Sequence, residues 1–217
     1  MNSFTEENYL KAIYHLGGAG NIAVNTNSIA ELTNTKAASV TDMLKKLADK
    51  GLINYIKYQG VTLTEKGKGT AINIVRKHRL WEVFLVEKLG FKCDEVHDIA
   101  GDLEHINSEQ LIDRLDTFLG NPKADPHGDP IPDRDGIFHK KELIKLADLI
   151  AKQEGKISGV NEHSAAFLQY LEKAGLTLGT TIVVKEALEY DGSVNLLIGK
   201  REITVSSKVA KNLLIQL

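Results

Sequence analysis

Residues 27–64 read NSIAELTNTKAASVTDMLKKLADKGLINYIKYQGVTLT. The pattern predicts a short helix at about 27–33, capped by Asn27 or Ser28, and a turn at Asn34-Thr35-Lys36. A second helix follows at about 37–50. In that helix Val40, Leu44 and Leu47 share one face, and Gly51 stands where a helix-terminating glycine belongs. Two helices joined by a three- to four-residue turn make a helix-turn-helix. The stretch after it, LINYIKYQGVTLT (52–64), is rich in β-branched and aromatic residues and is broken at Gln59-Gly60. It predicts a hairpin, the wing of a winged helix.

The outward positions of the second helix carry Ser39, Thr41, Asp42, Lys45 and Lys46, with Lys36 before it and Lys57 in the wing. Small hydroxyls near a helix N-terminus suit close approach to base edges and phosphates, and lysines contact the flanking backbone. Net charge over all 217 residues is −2, but from Lys36 to Arg79 there are 10 Lys/Arg against 3 Asp/Glu. From Leu80 onward there are 16 against 23. A basic block on an otherwise acidic chain is the footprint expected of a protein that lays one region on phosphates.

Around this module the pattern predicts a helix at 5–18, on which Tyr9, Ile13 and Leu16 share a face. Three more helices are expected, at about 65–89, 95–107 and 109–119, and a homodimer surface is their natural use. Residues 121–136, NPKADPHGDPIPDRDG, hold all 4 prolines and read as a linker. Residues 139–152 allow a helix or a loose connector. From Gly155 the pattern turns to β: strands at GKISGV, TTIVVKEALE, SVNLLIG and REITV, and helices at SAAFLQYLEKAG and SSKVAKNLL. The fold class is therefore mainly α with a small β domain. The expected domains are 1–70 for DNA binding, 71–122 for dimerisation and metal binding, 123–154 as linker, and 155–217 as the β domain.

A single cysteine, Cys93, leaves no internal disulfide and no thiolate-rich zinc site. With a polar, acidic start and no apolar run of about 18–20 residues, the expectation is a cytoplasmic protein without a membrane partner. The histidines and carboxylates carry more information. His78 and Glu82 stand i, i+4 on the long helix. On the next helix His97, Gly101, Glu104 and His105 fall within an arc of about 100° on a 3.6-residue wheel. The linker adds Asp125 and His127. Imidazoles and carboxylates without thiolates suit Mn²⁺, Fe²⁺, Zn²⁺ or Co²⁺.

These segments resemble the diphtheria toxin repressor family of iron- and manganese-dependent regulators, which includes the manganese transport regulators. The resemblance runs over nearly the whole chain: EENYLKAIYHL, SVTDMLKKLADKGLINYIKYQGVTLTEKGK, RKHRLWEVFL, EVHDIAGDLEH, DPHGDPIP, and GLTLG…DGSVNLLIGKREITVS in an SH3-like C-terminal domain. It implies that His78, Glu82 and His97 are ancillary metal ligands. Asp125 and His127 match a linker that supplies ligands in some members, with Asp in place of Cys. Glu162 matches an acidic position that completes that site. Glu104 and His105 match ligands of the activating site, whose other two positions depart from the family: Asn8 stands where it has Met or Asp, and Gly101 where it has Cys or Glu.

The resemblance implies a non-enzymatic repressor that binds operator DNA as a dimer when loaded with Mn²⁺, or alternatively Fe²⁺, and controls metal uptake. Metal between Asn8 and the Glu104/His105 pair would tie the DNA-binding domain to the dimer core. The rival readings are a metal-independent winged-helix regulator and a metal-dependent hydrolase.

Overall fold

Ser3 opens helix α1 (Phe4–Leu16) through a capping box. Its side chain accepts from the Glu6 amide, and the Glu6 carboxylate accepts from the Ser3 amide. The structure, a computed structural model, describes residues 2–20, 22–56, 59–139 and 141–217. Helix α2 (Thr26–Leu32) is capped by Asn25 rather than Asn27 or Ser28, the Asn25 side chain accepting from the Ser28 amide at 2.8 Å. Helix α3 (Ala37–Asp49) buries Val40, Leu44 and Leu47, and Gly51 ends it at φ +67°. Strand β1 (Ile53–Ile56) pairs antiparallel with β2 (Gly60–Leu63), and a bridge from Val24 to Val61 adds a third short stretch. The expected helix-turn-helix and wing are thus present; Lys57 lies outside the described residues.

Helix α4 (Glu65–Leu89) is followed by α5 (Val96–Leu103) and α6 (Glu109–Phe118). Helix α5 stops at Leu103, so Glu104 and His105 lie in the turn beyond it instead of continuing the helical face of His97. The chain divides into two units. The first holds Met1–His78, Gly101–Ile112 and Pro132–Ile137; the second holds Arg79–Ala100, Asp113–Ile131 and Phe138–Leu217.

The β domain belongs to the second unit. Its strands are β3 (Ile144–Lys145), β4 (Glu154–Val160), β5 (Thr181–Ala187), β6 (Val194–Ile198), β7 (Arg201–Val205) and β8 (Leu213–Gln216), all antiparallel in the order β3-β8-β4-β5-β6-β7. Helix α7 (Ala165–Ala174) is capped by Ser164 and ended by Gly175 at φ +73°, and α8 (Ser207–Asn212) precedes the last strand. Ile157, Phe167, Leu171, Ile182, Leu196 and Ile215 pack one core, each contributing roughly 1.5–3 kcal/mol by burial. The described residues of 139–152 hold β3 and a 3-10 turn (Leu146–Asp148) and no α-helix. The terminal helix gives way at Leu213 to a strand between β3 and β4. No helix among the described residues is long and apolar enough to cross a membrane.

Candidate metal centre and DNA-binding surface

Within the second unit, α4 supplies Glu82 and the proline-rich segment supplies Asp125 and His127, all three buried. One ligand atom from each lies within 4.8 Å of the others. His127 Nδ1 stands 3.7 Å from Glu82 Oε2 and 3.9 Å from Asp125 Oδ1. Its Nε2–H donates to the Cys93 carbonyl at 3.0 Å. A carbonyl only accepts, so Nε2 keeps its proton, and Nδ1 is the nitrogen that faces the carboxylates and offers a lone pair when the ring is neutral.

The local sequence explains this geometry. Asp125 Oδ1 accepts from the amides of His127 (2.8 Å) and Asp129 (3.0 Å), folding the segment back on itself. The Gly128 amide closes the turn on the Asp125 carbonyl at 3.0 Å, and the Val160 amide of β4 donates to the His127 carbonyl. Gly128 sits at φ +89°, and a Cβ there would lie 2.2 Å from the Ser158 carbonyl oxygen. Only glycine meets both demands.

The centre carries an excess of negative charge. Burial, together with the charges of Glu82 and Asp129, pushes the Asp125 carboxyl up to about 7, against the opposing pull of Arg79 and His127. Burial disfavours the charged His127 ring, but its hydrogen bond to Glu82 and the charges of Glu82 and Asp125 outweigh that and raise it to about 9. His97 Nδ1 lies 3.4 Å from Glu82 Oε1, with its side chain 64% exposed. Two carboxylates and an imidazole, buried and under-neutralised, form a donor set that fits a divalent cation.

Four groups around the centre were not foreseen. Arg79 Nε reaches Asp125 at 3.5 Å, its Nη2 reaches Asp129 at 3.1 Å, and its Nη1 donates to the Pro130 carbonyl. His163 Nε2 lies 3.8 Å from Asp129 Oδ2, and its ring meets that of His127 edge-on at 5.1 Å. The fourth is the Cys93 carbonyl. Asp129, repeating Asp125 within DPHGDP, is the one with a visible sequence signal. Glu162 instead accepts from Ser164 Oγ (2.8 Å) and Asn212 Nδ2 (3.3 Å) and stands 3.7 Å from Lys208. Beside the centre lies a cleft of about 440 Å³ whose walls include Val83, Val86, Phe91, Leu168 and Leu171.

The first unit brings together a different set. His78 Nδ1 lies 2.6 Å from Glu104 Oε2, and Lys11 Nζ lies 2.6 Å from that oxygen and 3.1 Å from His78 Nδ1. Burial opposes ionisation of Glu104, but the His78 hydrogen bond and the Lys11 charge prevail and hold its carboxyl below the usual range. His105 Nδ1 is 2.7 Å from Glu7 Oε2, and Phe4 stacks on its ring at 4.7 Å. Glu7 thus takes the place beside His105 expected of Asn8, which is exposed. Neighbouring residues on a helix point about 100° apart, and the buried face of α1 includes Glu6, Glu7, Tyr9 and Leu10. Gly101 offers no side chain, and the space beyond its Cα is open. Among the described residues of this unit, no three metal-capable side chains bring ligand atoms within 4.8 Å of one another.

On α3 and just before it, Lys36, Ser39, Asp42, Lys45 and Lys46 are exposed. Thr41 is half-buried and its hydroxyl donates to the Ala37 carbonyl. Asp42 pairs with Lys45 at 3.4 Å, and Lys46 is tied at 3.0 Å to the buried Glu6 of α1.

A winged helix in the first unit and a buried set of carboxylate and imidazole donors in the second define a DNA-binding regulator of the metal-dependent class. Two family models of the iron-dependent repressors match: the N-terminal DNA-binding domain over residues 2–61, and the metal-binding and dimerisation domain over 64–133. A FeoA domain matches residues 144–217. The chain belongs to the iron-dependent repressor family. It is 41% identical over 113 residues to an HTH-type transcriptional regulator of Methanocaldococcus jannaschii, covering 52% of this chain and 90% of that one. It is 38% identical over 128 residues to the iron-dependent repressor IdeR of Mycobacterium tuberculosis, covering 59% of this chain and 55% of that one. Among solved structures it is similar to a manganese-dependent transcriptional repressor in complex with manganese, with a TM-score of 0.85, 32% identity, and coverage of 97% of this chain and 98% of that one.

Proposed function

We propose that this chain is a Mn²⁺-responsive repressor whose effector ion is held by Glu82, Asp125 and His127. The convergence of these three buried donors carries the reading. A bound divalent cation supplies the positive charge that Arg79 leaves short once the His127 ring gives up its proton. Hard oxygen and imidazole donors favour Mn²⁺ over softer ions, and Fe²⁺ is the nearest alternative. Cys93 adds no thiolate: burial first, then Asp94, Asp125, Glu172 and Glu82, keep its thiol protonated. His97 and His163 stand beside the centre, and His163 orients Asp129. Residues 1–70 bind operator DNA through Ser39, Lys36 and Lys45, 71–122 supply Glu82 to the metal and bind the second copy, the linker 123–154 supplies Asp125 and His127, and 155–217 are the SH3-like domain.

The active species is a homodimer, since twofold proteins match twofold operators. Phe118, 65% exposed on α6, is an apolar residue suited to such an interface. A hydrolase is disfavoured. The cleft that Asp125 and His127 help to line offers one thiol, Cys93, and that thiol is held neutral, so it supplies no ready nucleophile.

The test is a mobility shift with a duplex selected in vitro from a random pool in the presence of Mn²⁺. Mn²⁺ is expected to tighten binding at least tenfold over chelator, in line with typical allosteric coupling. Equal binding in chelator would instead identify a metal-independent winged-helix regulator.

A further inference from the structure

We propose that Lys11 is a built-in cation that closes the Glu104/His105 cluster of the first unit, so that this cluster takes no metal ion. The inference rests on the metal-dependent reading above and concerns which residues answer to the ion.

Three observations carry it. First, the Lys11 ammonium occupies the position a cation would take: its Nζ lies 2.6 Å from Glu104 Oε2 and 3.1 Å from His78 Nδ1, within hydrogen-bonding reach of both. Second, the cluster's charges close. Its buried carboxylates are Glu7 and Glu104; Lys11 pairs with Glu104, and the buried Lys77 interacts electrostatically with both carboxylates. Two anions thus meet two ammonium groups, whereas the three carboxylates Glu82, Asp125 and Asp129 face Arg79 and the titratable ring of His127. Third, the two positions that would add ligands do not. Asn8 is exposed and Gly101 has no side chain. A tethered ammonium loses less entropy on taking this place than a free ion does, and it cannot dissociate. Its neutralisation of Glu104 is present with or without metal.

Equilibrium dialysis against Mn²⁺ at pH 7.5 tests this on the full chain, with thermal melting alongside. Glu104→Gln is expected to bind as many Mn²⁺ ions per chain as the unsubstituted protein; loss of an equivalent overturns the proposal. Lys11→Ala is expected to bind about one ion more, because it exposes an uncompensated buried carboxylate, and to gain melting temperature on Mn²⁺ addition beyond the parent's gain. Lys11→Arg, which keeps the charge, is expected to gain none. A Lys11→Ala protein with no extra equivalent overturns the proposal. If Lys11→Ala does not fold, the Glu104→Gln comparison decides alone. If the parent binds no Mn²⁺ at all, the metal-dependent reading fails, and the extra equivalent in Lys11→Ala, present or absent, still decides the role of the lysine.

Discussion

His127 and Glu82 face each other across 3.7 Å, from His127 Nδ1 to Glu82 Oε2, while the opposite edge of the ring is fixed by its bond to the Cys93 carbonyl. The ring therefore cannot turn its other nitrogen toward the carboxylates without leaving Nε2–H unpaired in a buried place, at a cost of about 1–3 kcal/mol. That orientation is in place before any ion arrives. It makes Glu82 the shared partner of His127 and His97, and the residue whose removal reads most directly on metal binding.

Glu82→Gln keeps the shape of the side chain and removes its charge. Mn²⁺ affinity is expected to fall by about a hundredfold or more, and the Mn²⁺-dependent gain in DNA binding with it. Isothermal titration and a parallel mobility shift measure the two. Unchanged affinity would rule out this centre.

In the metal-free protein, stability should fall as pH rises. Asp125 is raised from 3.8 to about 7 and His127 from 6.5 to about 9, so in both cases the folded state binds the extra proton. The stabilisation from His127 is full below 6.5 and lost as pH climbs through about 9; Asp125 becomes a liability as it ionises toward about 7. Melting temperature in chelator should drop about 2–4 °C per pH unit between roughly 7 and 9. Mn²⁺ competes with the His127 proton, so its affinity should rise over the same range and flatten the melting curve. A flat curve in chelator would contradict the charge excess.

Gly128→Ala places a Cβ against the Ser158 carbonyl in a left-handed backbone conformation. A loss of about 2–4 kcal/mol is expected, because the obstruction is backbone and cannot swing aside. Metal affinity should fall as well, since the same turn presents Asp125 and His127. Denaturant unfolding and Mn²⁺ titration check both.

Glu6 is buried and receives Lys46 at 3.0 Å and Lys50 at 2.8 Å. Burial opposes its ionisation, but the lysines and the Ser3 amide lower it from 4.5 to about 2. The stabilisation is present above 4.5 and lost as pH falls through about 2. Glu6→Gln should destabilise the protein at pH 7 by no more than about 3 kcal/mol and blunt its acid unfolding, as followed by circular dichroism.

Lys45 is exposed on α3, where its partner Asp42 is exposed too. Lys45→Ala should weaken binding to all duplexes alike and lower the slope of log affinity against log salt by about 1 if it neutralises one phosphate. A change confined to one sequence would place it on a base instead.

The legible parts of this chain are those specified by near neighbours. Val40, Leu44 and Leu47 announce α3, and the break at Gln59-Gly60 announces the wing, because periodicities of 3.6 and 2 are local properties. Helix ends were less legible. Extending α5 past Leu103 placed Glu104 and His105 with His97, whereas the structure puts them in a separate cluster. Strand β8 was missed because Leu213–Gln216 gains its pairing only from β3 and β4, distant in sequence.

By itself the sequence determined that this is a winged-helix protein with a basic DNA-facing block, a helical middle, a β domain, and a supply of histidines and carboxylates suited to a divalent ion. Which of those side chains meet was decided by tertiary structure. Asp125 and His127 reach Glu82 through a glycine turn packed on β4, and Lys11 reaches Glu104 across 93 residues of chain. Spacing along a helix reports only which way a residue points. The charge and burial that make one cluster open to an ion and the other self-neutralised arise where separate segments close around them.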